Sequence, residues 1–305
     1  MRPRNKEIYY CEPVYRPPSE AYSLLIQATE GCTFRCSFCV SNITKQFKIR
    51  EIEDIRKDLD TAAEIYGSAV NRIFLLDGNA FVMPAKTIIE ICNYAKQKFP
   101  NLERVGAYAH AKDILKKSID ELKEIAKSGL KIAYLGIETG DNDLLKAIGK
   151  HVTDEDLIRA AQMLHEADIT LSGTIILGLA GNDKNASEKH ALATANVINK
   201  MCPSTPKTWY ISALTLMIPP RTEIFEQYKK GQFTAMNSIE ILKELRLIVE
   251  NISDNLRSCV FRSNHASNYL PIKGVLAKDK KEILKQIDYA IENPESLRPE
   301  YFRGL

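Results

Sequence analysis

The sequence predicts an α/β protein built on a parallel sheet. Short β-branched or apolar runs alternate with helix-forming segments along the chain. The strand runs mostly recur about every 30 to 50 residues, the length of a βα unit closed by a crossover helix. Each run is nearly continuous in hydrophobicity, as a sheet covered on both faces requires. Six such units predict a parallel barrel or an open doubly wound sheet, and periodicity leaves the two open.

In chain order, residues 1–22, with Pro13, Pro17 and Pro18, read as an extended arm. Strands are expected over 23–28, 72–76, 104–108, 131–137, 169–177 and 209–216. Helices are expected between them over 51–66, 85–98, 111–128, 154–167 and 186–199. Cap chemistry supports these boundaries. Ser118 stands three residues before Glu121, and Thr153 precedes Asp154 and Glu155, as at helix N-termini. Gly129 and Gly149 fall where helix C-caps are expected. Beyond about residue 220 the pattern turns helical, over 223–230, 239–252 and 278–291, around a His/Asn/Ser-rich loop at 261–269. The expected organisation is an arm (1–22), a core (23–222) and a helical extension (223–305).

Composition narrows the class. The chain has 305 residues, 45% of them hydrophobic and 27% charged, enough for one large domain or two small ones. Disorder and collagen-like structure are excluded. Lys plus Arg is 42 and Asp plus Glu is 39, a net charge of +3 that disfavours a nucleic-acid partner. The basic N-terminus has no apolar run behind it, so no secretory leader is expected. The most apolar stretches, 174–180 and 211–220, are too short to span a bilayer. The final Phe-Arg-Gly-Leu is no prenylation motif. A cytoplasmic location, with reduced thiols, is the expectation.

Seven cysteines are too few for a disulfide scaffold, yet three crowd into Gly31-Cys32-Thr-Phe-Arg-Cys36-Ser-Phe-Cys39. Random placement would yield this C-x-x-x-C-x-x-C spacing roughly 0.004 times in such a chain. Three thiolates on one loop suit three irons of a cubane cluster, and the missing fourth leaves one iron open to chemistry. Structural zinc is the competing reading. It wants four ligands in paired knuckles, and the next candidates, Cys92 and His110, have no partner at knuckle spacing. Cys11, Cys92, Cys202 and Cys259 are scattered singly and read as small apolar fillers.

The cysteine loop, with Phe38 before its last Cys and its place after a first strand, resembles the hallmark of the radical S-adenosylmethionine (SAM) superfamily. Ile73-Phe-Leu-Leu-Asp77-Gly78-Asn79-Ala80 occupies the place of that family's Gly-Gly-Glu-like motif, whose backbone meets the SAM amino group. Tyr134-Leu-Gly136-Ile-Glu138-Thr-Gly140, followed by Gly149-Lys150, resembles the Elongator and coproporphyrinogen-oxidase branch. There the Glu lies near SAM, and a basic residue about a dozen positions on can meet its carboxylate. Thr174-Ile-Ile176-Leu-Gly178-Leu-Ala-Gly181 partly matches a G-x-I-x-G-x-x-E motif, with Thr174 for the first Gly and Gly181 for the Glu. Leu214-Thr-Leu216-Met-Ile-Pro219 resembles the segment that lies against adenine. The match runs over roughly residues 20 to 225. It implies a partial (β/α)6 TIM-like barrel with a helical C-terminal cover.

The resemblance implies one [4Fe-4S] cluster on Cys32, Cys36 and Cys39, and SAM held by Phe38, Asp77, Gly78, Asn79, Glu138, Lys150 and Leu216. It implies an oxygen-sensitive enzyme that cleaves SAM reductively to a 5′-deoxyadenosyl radical, which takes hydrogen from a small or medium substrate. An external one-electron donor such as flavodoxin or ferredoxin is implied as partner. From the residues alone, alternatives stand beside these roles. Phe38 can be core, Glu138 a neighbour of a helix N-cap, and Lys150 a solvated helix-end lysine. Tyr108 and His110 follow the third strand, and His265 and Asn268 sit in the polar 261–269 loop, so these four are the substrate candidates. A surface connector is the other reading of that loop. No basic β-domain, second cysteine trio or cobalamin-sized N-terminal region is seen, and Val40-Ser41 replaces the extra Cys of the coproporphyrinogen-oxidase pattern. A compact single-cluster enzyme acting on a lipid or cofactor precursor is therefore expected. The competing function is an Fe–S or zinc module with a regulatory or electron-transfer role.

Overall fold

The computed structural model describes residues 7–304, so the start of the arm, with its reading as no secretory leader, and Leu305 of the terminal tetrapeptide lie outside the described residues. The strands are β1 Leu24–Gln27, β2 Thr29–Glu30, β3 Lys48–Ile49, β4 Arg72–Leu76, β5 Arg104–Ala109, β6 Leu130–Glu138, β7 Thr170–Leu177, β8 Trp209–Thr215, β9 Cys259–Arg262 and β10 Lys273–Val275. The helices are α1 Ile52–Tyr66, α2 Ala85–Lys98, α3 Ala111–Leu115, α4 Ile119–Ser128, α5 Asn142–Ala147, α6 Asp154–Glu166, α7 Lys184–Lys200, α8 Glu223–Lys229, α9 Ser238–Glu250 and α10 Lys280–Glu292. Eight strands form one sheet in the order β1-β4-β5-β6-β7-β8-β9-β10, and β2 pairs with β3 in a small antiparallel ladder. The six strands expected from sequence are all present, with crossover helices between successive members.

Three differences from the sequence reading have local causes. The helix expected over 111–128 is two helices, because Ser118 forms a complete capping box with Glu121 and starts α4 afresh. Helix α5 is new; Asp141 caps it by accepting from the Asp143 amide. Strands β9 and β10 lie at the start of the expected 261–269 loop and beyond it, where no strand was expected. They are made strands by pairing with β8 and with each other. The expected caps are in place: Thr153 Oγ1 accepts from the Asp156 amide at 3.2 Å, and Gly129 and Gly149 have φ of 122° and 70°.

The chain divides into two compact units. The first holds the described residues through Thr33, with Ser41–Tyr134 and Glu166–Thr170. Its strands β1 and β4 run parallel with Gln27 opposite Leu76, so the residues after both strands emerge side by side. Phe74, Leu76, Ile132 and Tyr134 form a buried cluster there, with Tyr10, Val14, Leu25 and Tyr108 packed on it. The Phe74 ring meets Tyr108 and Tyr134 edge-on at 5.0 and 5.5 Å. The arm is docked on this cluster: the Tyr10 hydroxyl donates to the Leu25 carbonyl at 2.7 Å.

The second unit holds Phe34–Val40, Leu135–His165 and the described residues from Leu171 onward. Strands β7 and β8 run parallel with Leu177 opposite Thr215, which brings Gly178 and Leu216 out together. Strand β9 adds in parallel to β8, and β10 returns antiparallel on β9. Ile148, Ile176 and Leu179 form a small core against which Phe38, Leu144 and Leu216 pack.

Candidate active site

In the first unit the ends of β1 and β4 are tied by one carboxylate. Asp77 is buried, and its Oδ2 accepts from Lys45 Nζ at 2.7 Å, Gln27 Nε2 at 2.9 Å and the Gly31 amide at 3.0 Å. The Asp77 amide donates in turn to Thr29 Oγ1 at 3.1 Å. The carboxylate thus sets the backbone at the root of the cysteine loop. Gly78 follows directly. A Cβ there would stand 3.1 Å from the Cys32 Cβ and 2.6 Å from Asn42 Nδ2, so only glycine lets this backbone lie against Cys32. Asn79 is fully buried. Its Nδ2 donates to Asp113 Oδ2 at 2.6 Å, and its Oδ1 accepts from the His110 amide at 3.2 Å. The side chains of Asp77 and Asn79 are therefore engaged within the protein, and their backbone remains the part that can meet a ligand.

The unit boundary falls within the cysteine loop: Cys32 belongs to the first unit, Cys36 and Cys39 to the second. The three are half-buried and none forms a disulfide. The Cys39 amide donates to the Cys36 carbonyl at 3.0 Å, closing a turn, and the Ser37 amide donates to the Ile148 carbonyl at 3.0 Å. Among the described residues no three His, Cys, Asp or Glu side chains converge in metal-binding geometry.

In the second unit Glu138 ends β6 with φ 62°, a left-handed backbone that turns its carboxylate back toward Gly136. Its Oε1 accepts from Lys150 Nζ at 2.7 Å, and both side chains are buried. Lys150 follows the Gly149 cap of α5. A Cβ on Gly136 would collide with the Glu138 carboxylate and stand 2.6 Å from Lys150 Nζ. The bare Cα is what gives this ion pair its room. The two residues read separately from sequence as SAM contacts are thus one pair. Phe38 and Leu216 meet the same small apolar core.

The four substrate candidates carry structural bonds. Tyr108 packs edge-on against Phe74. His110 caps α3, its Nδ1 accepting from the Lys112 amide at 3.2 Å. His265 Nδ1 accepts from the Ser267 amide at 3.1 Å, and burial and then Arg298 hold its pKa below the usual imidazole value. Asn268 is spent entirely on β8 and its loop. Its Nδ2 donates to the Ala213 and Ser263 carbonyls, and its Oδ1 accepts from Thr215 Oγ1.

Sequence reasoning missed one buried group that organises these strand ends. Glu244, on α9, accepts from the Gly178 amide at 2.7 Å through Oε1 and from Ser187 Oγ through Oε2. His190, fully buried on α7, places Nε2 3.5 Å from the same Oε1 and Nδ1 2.7 Å from Thr139 Oγ1. Glu244 thus holds the turn after β7, and His190 beside it meets Thr139 after β6. Position 181, where the motif would carry Glu, is glycine; the carboxylate at this turn comes from residue 244.

A family model described as the radical SAM superfamily matches residues 26–192. A bacteriochlorophyllide d C-12(1)-methyltransferase of Chlorobaculum tepidum is 27% identical over 223 residues, 70% of this chain and 44% of that protein. A tRNA-2-methylthio-N(6)-dimethylallyladenosine synthase of Rickettsia canadensis is 28% identical over 170 residues, 52% of this chain and 37% of that protein. The chain thus spans less than half the length of these curated relatives. Among solved structures, coproporphyrinogen III oxidase from Escherichia coli matches with TM-score 0.54 at 13% identity, over 75% of this chain and 52% of that chain. Methylornithine synthase matches with TM-score 0.51 at 14% identity, over 88% of this chain and 81% of that chain.

Proposed function

The chain belongs to the radical SAM superfamily, and from that premise we propose that it is a single-cluster enzyme whose Gly31–Cys39 loop holds the iron–sulfur cluster for SAM-dependent radical chemistry on a small or medium substrate. The family's cofactors are a [4Fe-4S] cluster and SAM. When bound, they supply reductive cleavage of SAM and removal of a hydrogen atom from substrate.

The donor set fits that group. Three thiols at C-x-x-x-C-x-x-C, none spent in a disulfide, follow the first strand of a parallel sheet. This is the observation that carries the reading. Cys32, Cys36 and Cys39 would hold three irons and leave the fourth to the amine and carboxylate of SAM. The backbone of Asp77, Gly78 and Asn79, held by the Asp77 carboxylate, would meet the SAM amino group. The Glu138–Lys150 pair would meet the polar end of SAM, with Lys150 donating to a carboxylate. Phe38 and Leu216 would exclude water along the adenine and cluster side. On this reading residues 23–222 generate the radical, residues 223–305 complete the substrate side, and an external one-electron donor such as flavodoxin or ferredoxin supplies the reductant.

Anaerobic reconstitution with iron and sulfide, followed by dithionite and SAM, tests it. The expected products are 5′-deoxyadenosine and methionine, abolished by Cys36→Ala. A brown, four-iron protein that yields neither, with Cys36→Ala indistinguishable from wild type, overturns the reading and leaves an electron-transfer module.

A further inference from the structure

One amide side chain ties the N-terminal arm to the root of the cysteine loop. Three consecutive arm residues dock within the first unit. The Tyr9 amide donates to Asp58 Oδ1 at 3.1 Å, the Tyr10 hydroxyl to the Leu25 carbonyl, and the Cys11 amide to Gln27 Oε1 at 2.6 Å. Gln27 is fully buried on β1, and its Nε2 donates back to the Cys11 carbonyl at 3.4 Å. The same Nε2 donates to Asp77 Oδ2 at 2.9 Å. That oxygen also takes the Gly31 amide, beside Cys32, and Lys45 Nζ. A chain of bonds thus runs from the arm through Gln27 and Asp77 to the cysteine loop.

Gln27 can point its amide only one way here. The Cys11 amide needs an oxygen, and the Asp77 carboxylate needs an N–H. With the arm docked, one orientation meets both demands. Undocking the arm strands Gln27 Oε1 and one of its N–H groups at a fully buried position, where unpaired polar groups are costly. The side chain is then drawn to the water that replaces the arm, and Asp77 loses a donor. The coupling is reciprocal: whatever tightens the backbone at Asp77 favours the docked arm.

We infer that Gln27 is a positioning residue: it transmits docking of the arm to the cysteine loop and to the Asp77–Asn79 backbone, so that the docked arm and bound SAM stabilise one another. The SAM half rests on the proposed function, while the loop half is read without cluster or SAM. In the metal-free protein, iodoacetamide labelling mapped by mass spectrometry follows Cys11 as the probe of the arm and Cys32 as the probe of the loop. Tyr10→Ser removes the arm's bond to Leu25 and its packing on the Phe74 cluster, and leaves Gln27 and Asp77 in place. Gln27→Met breaks the link itself. Both variants should speed labelling at Cys11 and Cys32 at least about fivefold, with buried Cys92 staying slow as the check on the fold. The double variant should label Cys32 no faster than Gln27→Met alone, because the arm acts through Gln27. In the reconstituted enzyme either variant should bind SAM about tenfold more weakly in equilibrium titration. Reciprocally, SAM should slow Cys11 labelling at least about threefold in the wild type, and not in Gln27→Met. Wild-type labelling of Cys32 in Tyr10→Ser, or additive effects in the double variant, overturns the inference. If the wild type binds SAM and both variants bind it equally well, the inference falls and the proposed function stands. If the wild type binds no SAM while Tyr10→Ser still speeds Cys32, the proposed function falls and the link from arm to loop stands.

Discussion

Asp77 shows how a buried carboxylate can act by what it holds. Its carboxylate collects a buried lysine, a glutamine and a backbone amide. Asp77→Ala removes the counter-charge from a Lys45 side chain that is only 2% exposed, at a cost of about 3–5 kcal/mol. Urea unfolding should read that loss, and Asp77→Ala/Lys45→Met should recover part of it. Gly136→Ala should act differently. The methyl group would push Glu138 from Lys150, so SAM affinity should fall by about tenfold or more in equilibrium titration, with less change in unfolding midpoint. His165 supplies a pH test. Its ring packs on Trp209 at 5.7 Å, its Nε2 is buried without a hydrogen-bond partner, and burial lowers its pKa to about 4. The unfolded chain protonates near 6.5 and the folded one near 4, so the unfolded state binds more protons between those values. Stability from this group is complete above pH 6.5, falls as pH drops toward 4, and its total loss is about 3 kcal/mol. His165→Phe should flatten that part of the stability profile; an unchanged slope between pH 6.5 and 4 would refute the assignment.

At the scale of elements, what repeats locally was legible in the sequence and what is assembled from afar was not. The six strands and their crossover helices follow from apolar runs that alternate with helical spacing, and the cysteine spacing is contained within eight residues. Strands β9 and β10 were hidden because their pairing with β8 and with each other, rather than their own composition, makes them strands. Glu244 was hidden because its partner, the Gly178 amide, is 66 residues away, and a glutamate in an amphipathic helix reads as solvent-facing. The Glu138–Lys150 pair was half legible: both residues stood out by motif, and their mutual bond needed the turn through Gly149. Glu244 therefore makes a sharp prediction. Glu244→Ala strands the Gly178 amide and Ser187 hydroxyl in the interior, for a loss of about 2–4 kcal/mol in chemical denaturation. Glu244→Gln keeps one acceptor oxygen and should lose less. If α9 anchors the strand ends, both variants should also lower SAM cleavage measured under folded conditions, in the same order.

Across the whole molecule, the seven cysteines separate by burial into two buried ones, Cys92 and Cys259, and five half-buried ones, Cys11, Cys32, Cys36, Cys39 and Cys202. Cys92 and Cys259 are fully buried, and burial pushes the Cys92 thiol up to about 12 and the Cys259 thiol well above its usual value. They fill core, and burial favours their neutral thiol form. Cys32, Cys36 and Cys39 are half-buried, and none of them belongs to the Phe74 or the Ile148 cluster. On the proposed function the loop thiols serve a shared cluster rather than the core. Replacing all three by alanine should leave the far-UV spectrum unchanged and move the melting temperature by only a few degrees, since each substitution removes a partly exposed group. The same protein should take up no iron on reconstitution. Alkylation by iodoacetamide in the metal-free wild type, mapped by mass spectrometry, should modify the three loop cysteines well before Cys92 and Cys259. Prior cluster assembly should protect the three together, because ligands to one cluster are shielded as a set. Protection of only one or two, or melting that collapses in the triple variant, would mean that the loop thiols serve the fold instead of a shared cluster.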